Sequence, residues 1–64
     1  MEKLLLTVEE AAESLNIGRE AVYDLMRMRE LTSVKIGRSR RVPVECLREY
    51  VTRIAAESDG VVVG

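Results

Sequence analysis

The chain has 64 residues, of which 47% are hydrophobic and only two are aromatic, and its formal net charge is −1. This length fits one small domain with an aliphatic core. One cysteine and no histidine exclude a disulfide framework within the chain and the usual Cys/His zinc site. No apolar run reaches the roughly 20 residues of a membrane span and no secretory leader is recognisable, so we expect a cytoplasmic protein without metal or cofactor.

The charge is unevenly distributed along the chain. Residues 1–18 carry one Lys against four acids, residues 19–41 carry seven basic residues against three acids, and residues 42–64 carry two Arg against four acids. The net charges of the three segments are therefore −3, +4 and −2. Because a nucleic-acid backbone responds to the local field, the middle segment is the candidate DNA-facing part.

Two short helices with a tight turn are predicted first. The capping box Thr7–Glu10 begins a helix that runs to about Leu15. The turn Asn16–Gly18 follows, with Asn in the left-handed conformation, Gly as the next N-cap and the apolar Ile17 pinned into the core. A second helix occupies Arg19–Met28, and the three-residue connection is typical of a helix-turn-helix.

The polar face of helix two is a candidate DNA-reading surface. Arg19, Glu20, Tyr23 and Arg27 fall within about 100° of each other around the helix axis. Arg can contact a phosphate or a guanine edge, and Glu20 can accept from a cytosine amino group. The alternative is a solvated face, with Arg19 offset by Glu20, Asp24 paired with Arg27, and the Tyr23 ring packed on the hairpin or helix one.

A basic hairpin comes next. Val34–Ile36 and Arg40–Val42 read as short strands around the turn Gly37–Ser39. We expect the apolar residues Val34, Ile36 and Val42 to point inward and Lys35 and Arg41 outward. Lys35, Arg38, Arg40 and Arg41 place four positive charges in seven residues with no acid among them. Such a set is either a solvated loop or an anion site on DNA phosphates or in a minor groove.

A last helix completes the domain. Pro43 is predicted in its first turn, and the helix continues to about Ala56. Its expected apolar stripe is Val44, Leu47, Val51 and Ile54. We predict one winged domain over residues 1–57 and a flexible tail over residues 58–64, which includes Val61–Val63.

Catalysis finds little support in the residue types present. Cys46 lies beside Glu45 and Arg48 with no base nearby in sequence and is interpreted as a half-buried structural thiol. Glu9, Glu10 and Glu13 are interpreted as a helix cap and a solvated face, and no Gly-rich phosphate loop is present. We therefore expect a protein that is not an enzyme.

The stretch from Leu6 to Tyr50 resembles the excisionase-type DNA-binding domains. These are small winged helix-turn-helix proteins related to the DNA-binding part of MerR regulators and to AlpA-like phage regulators. The order and spacing of the matching pieces carry the resemblance, and together the pieces span about two-thirds of the chain: Leu6–Ala12, Gly18–Tyr23, Val34–Arg38 and Arg41–Pro43.

The resemblance implies a winged helix-turn-helix fold, mostly α-helical with a small β-hairpin, that binds double-stranded DNA. Helix two would enter the major groove, and the hairpin would be the wing on the adjacent backbone or minor groove. The predicted DNA-binding residues are Arg19, Glu20, Tyr23 and Arg27 on helix two and Lys35, Arg38, Ser39, Arg40 and Arg41 on the wing.

The resemblance also implies the role of an excisionase, a recombination directionality factor of a phage or integrative element. Several monomers would bind adjacent sites cooperatively, bend the DNA and direct an integrase toward excision. Bending 20–30 base pairs costs on the order of 1–6 kcal/mol, which favours several small modules over one. The implied partners are duplex DNA, an integrase and other copies of the chain, with no membrane.

Two other functions stay open at this point. A small MerR- or AlpA-like transcriptional regulator would use the same DNA surface, and the position of its binding sites would distinguish it. A protein-interaction module would dock a partner through the acidic first helix and the Val61–Val63 tail. Steep salt dependence of DNA affinity would separate a DNA-binding protein from that module.

Overall fold

The computed structural model describes residues 3–58. Three helices and three short strands follow one another along the chain: β1 (Leu5–Leu6), α1 (Val8–Leu15), α2 (Arg19–Arg27), β2 (Val34–Ile36), β3 (Ser39–Pro43) and α3 (Val44–Glu57). This is a winged helix-turn-helix, as predicted. The predicted tail lies outside the described residues, apart from Ser58, which ends α3.

The start of α1 is a complete capping box. The Thr7 hydroxyl accepts from the Glu10 N–H at 3.1 Å, and the Glu10 carboxylate accepts from the Thr7 N–H at 2.9 Å. Lys3 also donates to the Glu10 carboxylate. The Lys3 ammonium first and these helix-cap bonds second lower the pKa of Glu10 from its usual 4.5 to about 2. The predicted cap is confirmed and is reinforced by a residue before the strand.

The turn between α1 and α2 has the predicted backbone and a different side-chain arrangement. Asn16 ends α1 in the left-handed conformation, with φ at 57°, and Gly18 is the N-cap of α2 in extended conformation. Ile17 was expected in the core, but its side chain is 39% exposed. That expectation is wrong: the Ile17 N–H donates to the Ala12 carbonyl at 3.0 Å and fixes the backbone of the turn, but the Ile17 side chain is not among the residues packed in or against the core.

The end of α2 repeats this closure. Met28 is the C-cap, and Arg29 follows with a positive φ of 61°. The N–H of Arg29 donates to the Met26 carbonyl at 3.2 Å, and the N–H of Glu30 donates to the Leu25 carbonyl at 2.8 Å. These two bonds are those of a Schellman motif, which closes a helix with one left-handed residue.

The three strands form one antiparallel sheet in the order β1-β3-β2. Ser39 pairs with Ile36, so the hairpin turn contains only Gly37 and Arg38. Gly37 has a φ of 61°, a conformation that glycine adopts without steric penalty. On the other side of β3, Leu6 pairs with Val42, which fixes the base of the wing to the chain before α1.

The core lies where α1, α2 and β3 meet. Leu31 was not assigned to the core from the sequence, yet it is 2% exposed and one of the largest fully buried side chains. Its N–H donates to the Leu25 carbonyl at 3.1 Å, which turns the connector inward after α2. The buried apolar residues are Val8, Ala11, Ala12, Val22, Leu31, Val42 and Leu47.

Helix α3 begins one residue later than predicted. Pro43 ends β3 and serves as the N-cap, and Val44 is the first helical residue. Of the predicted apolar stripe, Leu47 is buried, whereas Val51 and Ile54 are exposed. No helix within residues 3–58 is long and apolar enough to cross a membrane.

Candidate nucleic-acid interface

The polar face of α2 is exposed along its length. The four side chains predicted to read DNA are all solvent-accessible, and the Tyr23 ring is 44% exposed. Arg19 and Arg27 stand at the two ends of the helix, about 12 Å apart along the axis at 1.5 Å per residue. Tyr23 lies midway along this face, with Arg19 and Arg27 each about one helical turn away from it.

Two of these arginines already have carboxylate neighbours. The Arg19 guanidinium lies 3.6 Å from the Glu9 carboxylate on α1, and the Arg27 guanidinium lies 3.4 Å from that of Asp24. The Asp24–Arg27 pair is the one anticipated from the sequence. The neighbour of Arg19 is Glu9 and not Glu20. Exposed pairs of this kind contribute about 0–1 kcal/mol, so both guanidiniums can exchange their partners for phosphates.

In the hairpin, Val42 points inward and Arg41 outward as predicted, but the predicted orientation of the β2 side chains Val34, Lys35 and Ile36 is wrong by one residue. Directly paired residues share a face of an antiparallel sheet, and Val34 pairs with Arg41 while Lys35 pairs with Arg40. Val34 and Ile36 therefore lie on the outer face with Arg41, where both are exposed. Lys35 and Arg40 share the face of the buried Val42.

The length of the turn explains this error. A three-residue turn over 37–39 would have paired Val34 with Val42 and buried both valines. The observed two-residue turn moves the register by one position, and such a shift exchanges the two faces of a strand. The basic side chains Lys35 and Arg40 then project from the sheet face that carries the core.

This register brings the wing and α2 together. Tyr23, Met26 and Arg27 from α2 line a cleft of about 280 Å³ with Arg40 from β3. The Arg40 guanidinium donates to the Ser33 hydroxyl at 3.1 Å, which orients the side chain across the connector. The tyrosine-bearing face of α2 and the basic wing are thus parts of one surface.

The other predicted wing residues lie elsewhere. Arg38 occupies the tip of the hairpin, and Lys35 is exposed opposite Arg40. Ser39 and Arg41 are half-buried on the outer face of the hairpin, away from this cleft. The Arg41 guanidinium donates to the Arg40 carbonyl at 3.0 Å, so it lies along its own strand.

A second cleft adjoins the first and was not foreseen from the sequence. It has a volume of about 510 Å³ and shares Met26, Arg27 and Arg40 with its neighbour. Its further lining residues come from the connector between α2 and β2: Arg29, Leu31, Thr32 and Ser33. The positive charge of residues 19–41 includes Arg29, but no local sequence pattern places this residue beside the wing.

Other candidate chemistry is sparse in the described part of the chain. Cys46 is half-buried on α3, as interpreted from the sequence. Within residues 3–58, no group of three or more His, Cys, Asp or Glu side chains is placed to hold a metal ion.

Comparison with known proteins agrees with this architecture. The helix-turn-helix domain family matches residues 5–55. The chain is 46% identical over 55 residues to a "Probable excisionase" of Saccharopolyspora erythraea, covering 86% of this chain and 56% of that protein. It is 49% identical over 47 residues to an "Excisionase" of Streptomyces ambofaciens, covering 73% of this chain and 76% of that protein.

A more distant relative has a different overall size. The chain is 38% identical over 48 residues to the "Uncharacterized protein YvgK" of Bacillus subtilis, covering 75% of this chain and only 16% of that protein. No solved structure matches. On its fold and these relatives, the chain belongs to the helix-turn-helix domain family, among the small excisionase-type DNA-binding proteins.

Proposed function

We propose that this protein binds duplex DNA sequence-specifically, with α2 in the major groove and the β2–β3 hairpin as a wing on the adjacent backbone or minor groove. Base contacts come from the exposed face of α2, where Arg19 and Glu20 can donate to guanine and accept from cytosine. Backbone contacts come from the wing, chiefly Lys35, Arg38 and Arg40. Ser39 and Arg41, on the outer face, serve as secondary contacts to the flanking phosphates.

The cleft shared by Tyr23, Arg27 and Arg40 carries this proposal. In a DNA duplex the base edges in a groove lie a few ångströms from the backbone phosphates. A protein that contacts both therefore needs a helix for the groove and a basic element for the phosphates on one surface. Arg40 is the wing residue that meets this requirement, because it lines one cleft together with Tyr23 and Arg27 of α2. The acidic segments lie before α2 and after β3, so the net charge of −1 does not oppose binding here.

The biological role that we propose is that of an excisionase. Copies of the protein bind adjacent sites cooperatively, bend the DNA and direct an integrase toward excision, in the bacterial cytoplasm. The two relatives named as excisionases support this role. The chain spans about half the length of the Saccharopolyspora relative, so the proposal concerns the DNA-binding part of that comparison.

The experiment is a salt titration of binding to a fluorescent duplex. If the parent protein neutralises several phosphates, the logarithm of its affinity should fall linearly with the logarithm of salt, by about 0.9 per phosphate contacted. The double variant Arg38→Ala/Arg40→Ala should lose about 1.8 from that slope on every sequence tested. Arg48→Ala is the matched control, because Arg48 lies on α3 beside Ser14 and Leu15 and away from the wing.

The excisionase role needs a separate readout. Footprints beside a recombination attachment site, with a bend measured by energy transfer and excision by the integrase of the same element, would support it. Footprints over a promoter would instead identify a transcriptional regulator. A flat salt slope, or no binding at low salt, would reject DNA binding and favour a protein-interaction module.

A further inference from the structure

The C-terminal turn of α2 holds a long basic side chain where the backbone favours glycine. Arg29 has a φ of 61° at the left-handed position of the Schellman motif. Glycine is the usual residue there, since a Cβ is crowded in this conformation, and Asn is the next choice. Helix α1 follows that preference with Asn16, whereas α2 does not. The left-handed conformation at this position therefore disfavours arginine.

Arg29 lines the larger of the two basic clefts. The cleft holds three guanidinium side chains, Arg27, Arg29 and Arg40, and the hydroxyl residues Thr32 and Ser33. No carboxylate is among its lining residues. Three like charges around one cavity repel each other unless an anion lies between them. Planar guanidinium donors with added hydroxyl donors are a donor set that suits a phosphate group.

The charges around the cleft leave Arg29 available. Arg27 has Asp24 at 3.4 Å, and Arg40 donates to Ser33 at 3.1 Å. The Arg29 backbone N–H donates to Met26, but the Arg29 guanidinium makes no hydrogen bond or ion pair within residues 3–58.

The acid next to Arg29 is held away from the cleft. Arg53 of α3 donates to the Glu30 carboxylate at 3.0 Å and to the Glu30 carbonyl at 2.7 Å. Both contacts draw the connector toward α3. The Glu30 carboxylate, which is next to Arg29 in the chain, is therefore paired with Arg53 and does not line the cleft with Arg29.

We propose that this cleft binds one phosphate of a DNA backbone, with Arg29 as the principal ligand and Arg40 and the Thr32 hydroxyl as further donors. The inference rests on the proposed function, because the phosphate belongs to the duplex whose groove α2 occupies. The cleft shares Arg27 and Arg40 with the Tyr23 cleft, so a strand that passes the wing reaches both. Arg29 is then a DNA-binding residue that anchors the duplex at the C-terminal end of α2.

Arg29 could instead act only as a counter-charge to the C-terminal end of the α2 dipole. The variant Arg29→Gly separates the two roles. It removes the guanidinium and supplies the residue that the backbone conformation favours. A counter-charge role predicts unchanged DNA affinity, because the lost charge is far from any phosphate and relief of the left-handed conformation offsets the lost dipole contribution. A phosphate-ligand role predicts a protein at least as stable as the parent that binds DNA more weakly.

The test is a salt titration of the intact chain with a fluorescent duplex, alongside thermal unfolding by circular dichroism. We expect the slope of log affinity against log salt to be smaller by about 0.9 in Arg29→Gly than in the parent, because one phosphate contact is lost. Between 1 M and 0.1 M salt, a slope of about 0.9 changes the affinity by about eightfold, so the variant should bind about eightfold more weakly than the parent at about 0.1 M salt. Arg29→Lys should keep the slope, because the charge is retained. Arg48→Ala, on α3 beside Ser14 and Leu15 and away from the wing, should keep the salt slope of the parent.

The outcomes separate this inference from the proposed function. If the parent binds with a steep slope and Arg29→Gly shows the same slope, the cleft does not hold a phosphate and DNA binding stands. If the parent does not bind the duplex at low salt, both proposals fail. Saturable binding of inorganic phosphate alone by the parent, with unchanged duplex affinity in Arg29→Gly, would identify a free-anion site and overturn the DNA assignment.

Discussion

Removing the Arg53 side chain should destabilise the fold measurably, although the residue is largely exposed. Arg53 donates to the Glu30 carbonyl at 2.7 Å and to its carboxylate at 3.0 Å, and its guanidinium lies 5.5 Å from the centre of the Tyr50 ring. It thereby joins α3 to the connector between α2 and the wing. In Arg53→Ala all three contacts are lost at once, with no buried group left unpaired.

The magnitude follows from the exposure of the contacts. Side chains that are 46% and 51% exposed form an ion pair that contributes at most about 1 kcal/mol. The hydrogen bond to the carbonyl adds about 0.5–1 kcal/mol, and the contact with the tyrosine ring adds about 0.5 kcal/mol in solvent. The sum is about 1–2.5 kcal/mol. For a domain of this size each kcal/mol lowers Tm by about 4–8 °C, so a decrease of about 4–20 °C is expected.

The assay is thermal unfolding followed by circular dichroism at neutral pH, with Glu49→Ala as control. Glu49 is an exposed charged residue on the same helix, so its replacement tests the effect of helix propensity and charge alone. We expect Glu49→Ala to remain within about 0.5 kcal/mol of the parent. If Arg53→Ala unfolds at the same temperature as Glu49→Ala, the link between α3 and the connector does not contribute to stability.

Two further predictions concern the core and the first helix. Leu31→Ala should lower the free energy of unfolding by about 2–4 kcal/mol, a large part of the roughly 3–10 kcal/mol expected for a domain of this length. Leu4→Ala, at an 83% exposed position, should have little effect. Urea unfolding measures both variants, and equal midpoints would contradict the burial of Leu31. The Glu10 carboxyl has its pKa lowered to about 2 by Lys3 and the helix cap, while in the unfolded chain it titrates near 4.5. Between these two pH values the unfolded state binds more protons than the folded state. The stabilisation by the Glu10 carboxylate is therefore complete above about pH 4.5 and is lost as the pH falls toward 2. Glu10→Gln should flatten this part of the pH–stability curve, and an unchanged curve would show that Glu10 is not the titrating group.

The sequence predicted the helix ends well, because each end is set by capping residues that lie within a few positions of it in the chain. The capping box at Thr7, the left-handed Asn16 and the N-cap Gly18 were assigned from the sequence and lie as assigned. Their hydrogen bonds join groups three to five residues apart. The backbone of such a turn therefore depends little on the rest of the fold, in contrast to the side chain of Ile17, whose exposure depends on what packs nearby.

The faces of the hairpin could not be predicted in the same way. Alternation in β2 separates Val34 and Ile36 from Lys35, but only the register with β3 decides which set faces the core. That register changes with one residue of turn length. With the observed pairing, the position opposite Val42 is residue 33, and Leu31, two residues earlier, supplies the buried side chain instead of Val34.

The candidate site was predicted in part for a related reason. Residue type identifies charged and aromatic side chains on α2 and the hairpin, and the register places Arg40 beside Tyr23. The sequence did not predict Arg29 as a site residue, because its position depends on a left-handed backbone at the end of α2, where an arginine is not expected. A residue that contradicts the local conformational preference is visible only once the backbone is known.

The short edge strands of the sheet also limit strand-to-strand association between molecules. Its central strand, β3, is paired on both sides, so the unpaired backbone belongs to β1 and β2, which have two and three residues. A foreign chain that tried to extend the sheet would find a template too short to hold it. Two molecules that meet at these edges can therefore touch through side chains without fusing, strand to strand, into fibres.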